Sequence, residues 1–240
     1  MDVPRIVILT GAGISAESGV PTFRGPDGLW EGHRIEDVAT PEAFARDPVL
    51  VQRFYDARRA RLAQVEPNPA HRALGQLDAA WPGELLIVTQ NVDDLHERGG
   101  ARRLVHMHGE LRSAWCLACG ARHRWDGPLS GDPACPACGA RGRMRPDVVW
   151  FGEMPYHMDR IYAALARSDL FVAIGTSGHV YPAAGFVEEA RAAGAHCLEL
   201  NLEPSLVSGR FHETRTGPAG TLVPAFVAEL LERFRLAQAS

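Results

Sequence analysis

Four short runs of apolar residues predict the buried strands of a parallel β-sheet. The runs cover residues 5–10, 84–90, 170–175 and 196–201. Each is a nearly continuous apolar stretch rather than an alternation, as expected for strands that are covered on both faces. Because helical patterns alternate with these strands, we expect an α/β fold built on a doubly wound, Rossmann-like sheet.

The helices between the strands are predicted from capping residues and from the spacing of apolar positions. Asn68 supplies an N-cap and Pro69 a first helical position, and Tyr181-Pro182 resembles that arrangement further along the chain. Gly194 has the place of a residue that closes a helix. The helices predicted in this way cover residues 69–80, 155–168, 182–193 and 223–236.

Two stretches interrupt the alternation of strands and helices. Residues 28–67 form a mostly helical insertion, with a helix predicted over residues 48–62. Residues 109–150 carry two cysteine pairs but little apolar periodicity, so we expect a metal to replace a core there. We therefore expect a single domain over residues 1–240, whose small lobe consists of these two insertions. The large lobe is expected to take residues 1–27, 68–108 and 151–240.

The composition is that of a globular protein, with 46% hydrophobic and 22% charged residues. A net charge of −4 does not favour direct binding of nucleic acid. The apolar runs are far shorter than the roughly 20 residues of a membrane-spanning helix, and the first residues do not have the pattern of a signal peptide. We expect a cytoplasmic protein that binds neither membranes nor nucleic acid.

Four of the five cysteines have the spacing of a zinc site. Cys116 and Cys119 form one pair, Cys135 and Cys138 form another, and fifteen residues separate the pairs. In a chain without an export signal, such pairs indicate metal ligands rather than disulfides. Four thiolates leave a tetrahedral zinc ion no open position, so the zinc is expected to be structural. Cys197 lies in an apolar run and is expected to be a buried core residue.

A glycine-rich turn follows the first predicted strand. Residues 11–16 read GAGISA and fit the pattern of a turn that binds a pyrophosphate at a helix N-terminus. A hydride-transferring dehydrogenase would continue with a second strand that ends in an acid about twenty residues later. Instead, residues 21–28 form a loop that contains Phe23 and Arg24 and could fold over a dinucleotide. The sequence therefore disfavours an ordinary dehydrogenase.

Polar clusters follow three of the predicted strands, at the edge of the sheet where open α/β folds bind ligands. The clusters occupy residues 90–93, 175–177 and 201–203. Together with the glycine-rich turn they predict a ligand crevice. Among the ten histidines, His106 and His108 lie two positions apart, and an extended chain would place both on the same side. Their spacing does not decide which of them is functional and which is a hydrogen-bonded structural residue.

The ordered set of motifs resembles the sirtuin family of NAD-dependent protein-lysine deacylases. The resemblance runs from about residue 5 to the C-terminal helix. Its motifs are GAGIS at 11–15 with Phe23 and Arg24, QNVD at 90–93, HGE at 108–110, the four paired cysteines, VWFGE at 149–153 and GTS at 175–177.

The resemblance implies a mechanism. In sirtuins, the acyl oxygen of an acyl-lysine attacks the anomeric carbon of the nicotinamide ribose of NAD and expels nicotinamide. A histidine at the position of His108 then acts as general base on a ribose hydroxyl, a role that suits an imidazole at neutral pH. The products are free lysine, nicotinamide and an acylated ADP-ribose. NAD is thus expected to be consumed as a co-substrate.

The resemblance also implies which residues contact NAD. Gln90, Asn91 and Asp93 would line the nicotinamide and ribose site, and Phe23 and Arg24 would belong to a mobile loop. The other residues implied to contact NAD are Gly11, Ala12, Gly13, Ser15, Trp30, Gly175, Thr176, Ser177, Asn201, Leu202, Glu203 and Ala219.

The acyl-lysine substrate, a protein or a peptide, is expected to bind through its backbone as an added strand. The residues implied in this contact are Phe151, Gly152, Glu153, Gly178 and Val180. Tyr55 and Arg58 lie three apart and so share one face of the predicted helix. Taken alone, Arg58 in an arginine-rich run is typical of a solvated helix surface.

The pair of Tyr55 and Arg58, preceded by Ala39, resembles the subgroup of sirtuins that accepts negatively charged acyl groups such as succinyl and malonyl. A guanidinium group matches a carboxylate in geometry, and a phenol adds a hydrogen bond. Ala39 would leave room for the longer acyl chain. Two other functions stay open at this point: a sirtuin-fold protein ADP-ribosyltransferase, and an NAD-sensing zinc-ribbon module without turnover.

Overall fold

The computed structural model describes residues 3–22, 30 and 32–239. In chain order, the strands are β1 (Ile6–Thr10), β2 (Leu85–Thr89), β3 (Leu104–His106), β4 (Gly109–Cys116), β5 (Arg122–Arg124), β6 (Met144–Val148), β7 (Leu170–Ile174), β8 (His196–Asn201) and β9 (Glu213–Thr216). The α-helices are α1 (Ile35–Val38), α2 (Pro41–Arg46), α3 (Pro48–Leu62), α4 (Pro69–Ala80), α5 (Leu95–Arg98), α6 (Met158–Leu165), α7 (Phe186–Ala192) and α8 (Ala219–Ala239).

The main sheet contains six parallel strands in the order β3-β2-β1-β7-β8-β9. All four predicted strands are present in it, which confirms the predicted α/β fold. The strand order reverses at β1, which pairs with β2 on one side and with β7 on the other. A crevice opens at such a reversal, outside the carboxyl ends of the strands.

Apolar side chains cover the main sheet on both faces. On one face, α4 and α8 contribute Leu74, Leu77 and Phe226 to the core. On the other face, α6 and α7 contribute Ile161 and Phe186. This double coverage explains why the strands of the sheet are continuous apolar runs.

Several predicted helix boundaries agree with the structure and others do not. The helix of residues 69–80 is α4, and its N-cap Asn68 accepts hydrogen bonds from the amides of Ala70 and His71. The prediction that Pro182 opens an α-helix is wrong, because a 3-10 turn over Ala183–Gly185 intervenes and α7 begins only afterwards. Gly194 follows α7 in the left-handed conformation, with φ of 87°. The helix predicted over residues 155–168 is shorter in the structure (α6), and the one predicted over residues 223–236 is longer (α8).

The segment with the cysteine pairs forms a three-stranded antiparallel sheet in the order β5-β4-β6. The sequence does not indicate this sheet, because β6 is fully buried but carries charged residues. Arg145 pairs with Glu153 at 2.6 Å, and Asp147 accepts hydrogen bonds from Ser113 and Tyr156. These internal partners allow charged side chains to be buried, so the strand lacks an apolar pattern.

The helical insertion packs against the start of this small sheet. Val38 of α1, together with Val51 and Leu62 of α3, shares a hydrophobic core with Leu111 and Trp150. The two predicted insertions therefore contact each other, as a common lobe requires, although the exact lobe boundaries stay a prediction. In the part of the chain that the structure describes, no helix is both long enough and apolar enough to span a membrane.

Candidate active site

A cavity of about 1180 Å³ lies at the carboxyl ends of β1, β2, β7 and β8. It brings together His108 and most of the residues that the sequence analysis assigned to the NAD site, which are Gly11, Ala12, Gly13, Ser15, Trp30, Gln90, Asn91, Asp93, Gly175, Thr176, Ser177, Asn201, Leu202, Glu203 and Ala219. It is also lined by the candidate substrate residues Ala39, Tyr55, Arg58, Phe151, Gly152, Glu153 and Val180.

Of the candidate residues that the structure describes, one does not line this cavity. Gly178 does not line the cavity, and a Cβ atom at this position would lie 2.9 Å from the Val207 side chain. Its φ of 72° favours glycine at this turn, and its contact with a substrate stays a prediction. Phe23 and Arg24 lie outside the described residues.

The glycine-rich turn packs directly against the backbone of the neighbouring strand end. The amides of Gly11 and Gly13 donate to the carbonyls of Ile174 and Gly175 at 3.0 and 2.9 Å. A Cβ atom on Gly13 would lie 2.7 Å from the Cα of Gly175. The glycines therefore allow the turn and the β7 end to approach closely, and this contact forms one wall of the crevice.

A buried hydrogen-bond network holds the polar residues after β2. The Ser15 hydroxyl donates to the Asp93 carboxylate at 3.0 Å and accepts from the Asn91 amide at 3.1 Å. The Asn91 amide also donates to the Gly11 carbonyl at 3.1 Å. Burial raises the pKa of Asp93. The network links the turn after β1 to the turn after β2, so both sides of the crevice are fixed relative to each other.

Sequence analysis missed two buried residues that support this network. His71 lies 3.4 Å from the Ser15 hydroxyl, and burial lowers its pKa to about 4. The Asn68 side chain donates to the Ile14 carbonyl at 2.7 Å and so connects α4 to the glycine-rich turn. In the sequence, Asn68 indicates only a helix cap, and no local pattern distinguishes His71 from other helix residues.

His108 lies in the turn between β3 and β4 and faces the crevice. Its Nδ1 is 3.1 Å from the Gln90 carbonyl oxygen. Because a carbonyl oxygen only accepts hydrogen bonds, Nδ1 carries the proton and Nε2 keeps a lone pair. Burial lowers the pKa of His108, so the ring is neutral at physiological pH. These are the properties of a general base.

His106 has a different environment, and the expectation that both histidines face one side is wrong. β3 ends at His106, and the chain then turns, so the extended geometry does not continue to His108. The His106 ring bonds to the Asn91 carbonyl at 3.0 Å and to Glu97 at 2.7 Å. His106 does not line the crevice among the described residues, whereas His108 does. The structure thereby distinguishes two residues that spacing could not.

Tyr55 and Arg58 lie together in the part of the cavity next to the helical insertion. Tyr55 is completely buried, and its hydroxyl accepts a hydrogen bond from the Trp150 indole at 3.0 Å. Burial raises the pKa of the Tyr55 phenol above its ordinary value. Arg58 is only 7% exposed, and its guanidinium stacks 4.2 Å from the centre of the Trp30 ring. Arg58 is therefore not a solvated surface residue.

Residues 151–153 line one side of the cavity. Phe151 is 43% exposed, and its amide donates to the Ala39 carbonyl at 3.0 Å. The Glu153 carboxylate is occupied within the protein, since it pairs with Arg145 and accepts from the amide of Trp150 at 2.8 Å. The Glu153 amide also donates within the protein, to the Trp150 carbonyl at 3.0 Å, so the charge of Glu153 is not available to a substrate.

The four paired cysteines form a cluster that fits a tetrahedral zinc ion. The Sγ atoms of Cys116 and Cys138 are 3.8 Å apart, as are those of Cys119 and Cys135. A tetrahedron with Zn–S bonds of about 2.3 Å has edges of about 3.8 Å, whereas a disulfide would need about 2.05 Å. His123 lies 3.6 Å from the Cys135 sulfur, as an outer partner of a zinc ligand does. The cluster is separate from the crevice, which supports a structural role.

Cys197 is buried in β8 and lies apart from this cluster. Burial raises the pKa of its thiol to about 11. A thiol in this state is a poor nucleophile, in agreement with the expected core role.

Comparisons with known proteins agree with the fold and with the site. A protein from Bdellovibrio bacteriovorus, named NAD-dependent protein deacylase, is 58% identical over 230 residues, which cover 95% of this chain and 97% of that protein. A solved structure of a Sir2 homologue in complex with NAD matches with a TM-score of 0.87 and 38% identity, covering 95% of this chain and 90% of that chain.

A second solved structure contains a Sir2 protein with a deacetylated p53 peptide and 3′-O-acetyl ADP-ribose. It matches with a TM-score of 0.80 and 27% identity, covering 95% of this chain and 93% of that chain. The sequence model of the Sir2 family matches residues 11–182 of this chain. The chain belongs to the Sir2, or sirtuin, family.

Proposed function

We propose that this protein is an NAD-dependent protein-lysine deacylase that removes succinyl and malonyl groups as well as acetyl groups. The observation that carries the proposal is the composition of one cavity. That cavity joins the glycine-rich turn, a neutral His108 and the buried Arg58. A relative that is 58% identical bears the name of the deacylase activity, and the charged-acyl specificity rests on Arg58 and Tyr55.

NAD, when bound, supplies a ribose carbon that carries nicotinamide as a leaving group. Asn91 and Asp93 are held by Ser15, so they can position this ribose without rearrangement. His108 can accept a proton at Nε2 from a ribose hydroxyl, while its Nδ1–H stays bonded to Gln90. That bond keeps the ring orientation fixed during proton transfer.

The acyl pocket favours a carboxylate for electrostatic reasons. The Arg58 guanidinium is largely removed from water, so an ion pair with a substrate carboxylate is weakly screened. Its stacking on Trp30 fixes the plane of the guanidinium. The Tyr55 oxygen accepts from Trp150, and the raised pKa keeps the phenol protonated, so its own proton can be donated to the acyl group. Ala39 presents only a methyl group to the cavity wall.

Substrate recognition outside the pocket would use the backbone of residues 151–153 and of Val180. These segments border the cavity mouth and can add an extended peptide as a strand. The partners are therefore acyl-lysine proteins of varied sequence. We place the protein in the cytoplasm, since its cysteines are arranged as metal ligands rather than as disulfides.

The release of nicotinamide from NAD tests this proposal. We expect release with acetyl-lysine and succinyl-lysine peptides and none with an unmodified lysine peptide. Nicotinamide release that does not depend on the acyl group would favour an ADP-ribosyltransferase. NAD binding without release would favour a sensor module.

A further inference from the structure

A second cavity, of about 890 Å³, lies beside β3. Among the described residues, none lines both this cavity and the active-site crevice. Its wall contains Glu97, His106 and Glu110, and one potential ligand atom from each lies within 4.8 Å of the other two. We propose that these three side chains bind a divalent transition-metal ion, Zn²⁺, at a site distinct from the four-cysteine cluster.

The hydrogen bond between His106 and the main chain fixes which nitrogen faces the cluster. Its Nδ1 lies 3.0 Å from the Asn91 carbonyl oxygen, which can only accept, so Nδ1 carries a proton. The other ring nitrogen, Nε2, faces the Glu97 carboxylate, 2.7 Å away. Burial lowers the pKa of His106, but the hydrogen bond and the charge of Glu97 raise it overall, so a proton occupies this contact and a bound ion would displace it.

The same arrangement is typical of a histidine that binds a metal. Metal-binding histidines donate their second ring N–H to a carbonyl or carboxylate, which fixes the orientation of the ring. His106 already has this outer contact and is only 8% exposed, whereas both glutamates are exposed and can adjust towards an ion. The ring is thus preorganised and the carboxylates are adaptable.

The donor set selects the class of metal. One imidazole nitrogen and two carboxylates form a three-ligand zinc set, with a fourth position left for water. Mg²⁺ and Ca²⁺ prefer oxygen ligands alone. Arg102 and Arg160 line the same cavity and reduce its attraction for cations. We therefore expect micromolar rather than nanomolar affinity.

The experiment is a calorimetric titration of the full chain, with its cysteine-bound zinc retained, in metal-free buffer. Titration with Zn²⁺ is expected to show one further equivalent per chain, and Mg²⁺ is expected to give no binding heat. Glu97→Gln and Glu110→Gln should each lower the affinity for this additional Zn²⁺ ion at least about tenfold. The exposed Glu232→Gln, on α8, should leave it unchanged.

Both glutamates are exposed, so these variants should fold, and a circular dichroism melt checks that they do. The proposal is overturned if zinc analysis and calorimetry find only the cysteine-bound ion. It is equally overturned if a further equivalent binds with the same affinity to both glutamine variants, because the ion would then lie elsewhere.

Discussion

At the scale of single residues, His108 is the side chain whose replacement tests the proposed chemistry. We expect His108→Ala to lower the rate of deacylation by about 10²–10⁴-fold, since a general base contributes about this much. The fold should persist, because His108 makes one hydrogen bond to the main chain and is not part of the hydrophobic core. Steady-state kinetics with an acetyl-lysine peptide measures the effect.

The exposed His196→Ala serves as the matched control and should keep wild-type turnover. Near-normal turnover of His108→Ala would contradict the assignment of the base.

His108 also marks a limit of what the sequence alone predicts. The spacing of two histidines did not separate them, and only their tertiary contacts, with Gln90 in one case and with Asn91 and Glu97 in the other, do so.

Arg58 is the residue that tests acyl specificity. We expect Arg58→Met to raise the Michaelis constant for a succinyl-lysine peptide and to leave that for an acetyl-lysine peptide largely unchanged. Removing one partner of a partly buried charge pair costs about 2–5 kcal/mol, so the selectivity should change more than tenfold. Arg58→Lys should have a selectivity between those of the wild type and Arg58→Met, because lysine keeps the charge but cannot form the two parallel hydrogen bonds of a guanidinium. Parallel kinetics on both peptides provides the comparison.

Tyr55→Phe should act in the same direction but less, since it removes one hydrogen bond. Arg53→Met is the matched control, because Arg53 is an exposed arginine of the same helix. Proportional losses on the two peptides would refute the carboxylate pocket while leaving the deacylase proposal intact.

At the scale of elements, the cysteine cluster should hold the small sheet together. The core of that sheet contains only a few apolar residues, among them Ala114, Leu129 and Met144. We therefore expect Cys116→Ser to lose the zinc ion, to lower the melting temperature and to reduce activity indirectly, since metal binding is coupled to folding. Zinc analysis and thermal melts measure both effects.

The fifth cysteine provides the control for that experiment. Cys197→Ala should retain one zinc ion per chain, because Cys197 lies in β8 and not in the cluster. If the metal-free protein kept both its melting temperature and its activity, the structural role of the zinc would be refuted.

The elements also show where sequence patterns were sufficient. Strands buried on both faces have an unmistakable apolar pattern, and the cap and proline at Asn68-Pro69 placed α4 at its correct bounds. β6 could not be predicted from an apolar pattern, because it contains the charged residues Arg145 and Asp147. Both are buried, and each pairs with an oppositely charged residue outside the strand, Arg145 with Glu153 and Asp147 with Arg122. β9 was missed as well, since it is a short, polar strand at the edge of the sheet.

At the scale of the whole molecule, the buried histidines predict how stability depends on pH. Burial lowers the pKa of His71 to about 4, against 6.5 for an exposed histidine. The unfolded chain therefore binds a proton more readily than the folded one below pH 6.5, and stability falls as the pH drops from about 6.5 towards 4. The loss is about 1.4 kcal/mol per pH unit below the unfolded pKa.

Chemical denaturation at pH 7.5 and 5.5 should show this loss in the wild type and a smaller one in His71→Gln. The exposed His179→Gln should match the wild type. An unchanged difference between the two pH values in His71→Gln would contradict the assigned role of burial.

The central claim, that one crevice uses NAD to remove charged acyl groups from lysine, is tested most directly by identifying the products. Wild-type enzyme, NAD and a succinyl-lysine peptide would be incubated and analysed by mass spectrometry. We predict unmodified lysine peptide, nicotinamide and succinylated ADP-ribose in equal amounts. ADP-ribose attached to protein, or intact NAD beside an unchanged succinyl peptide, would contradict it.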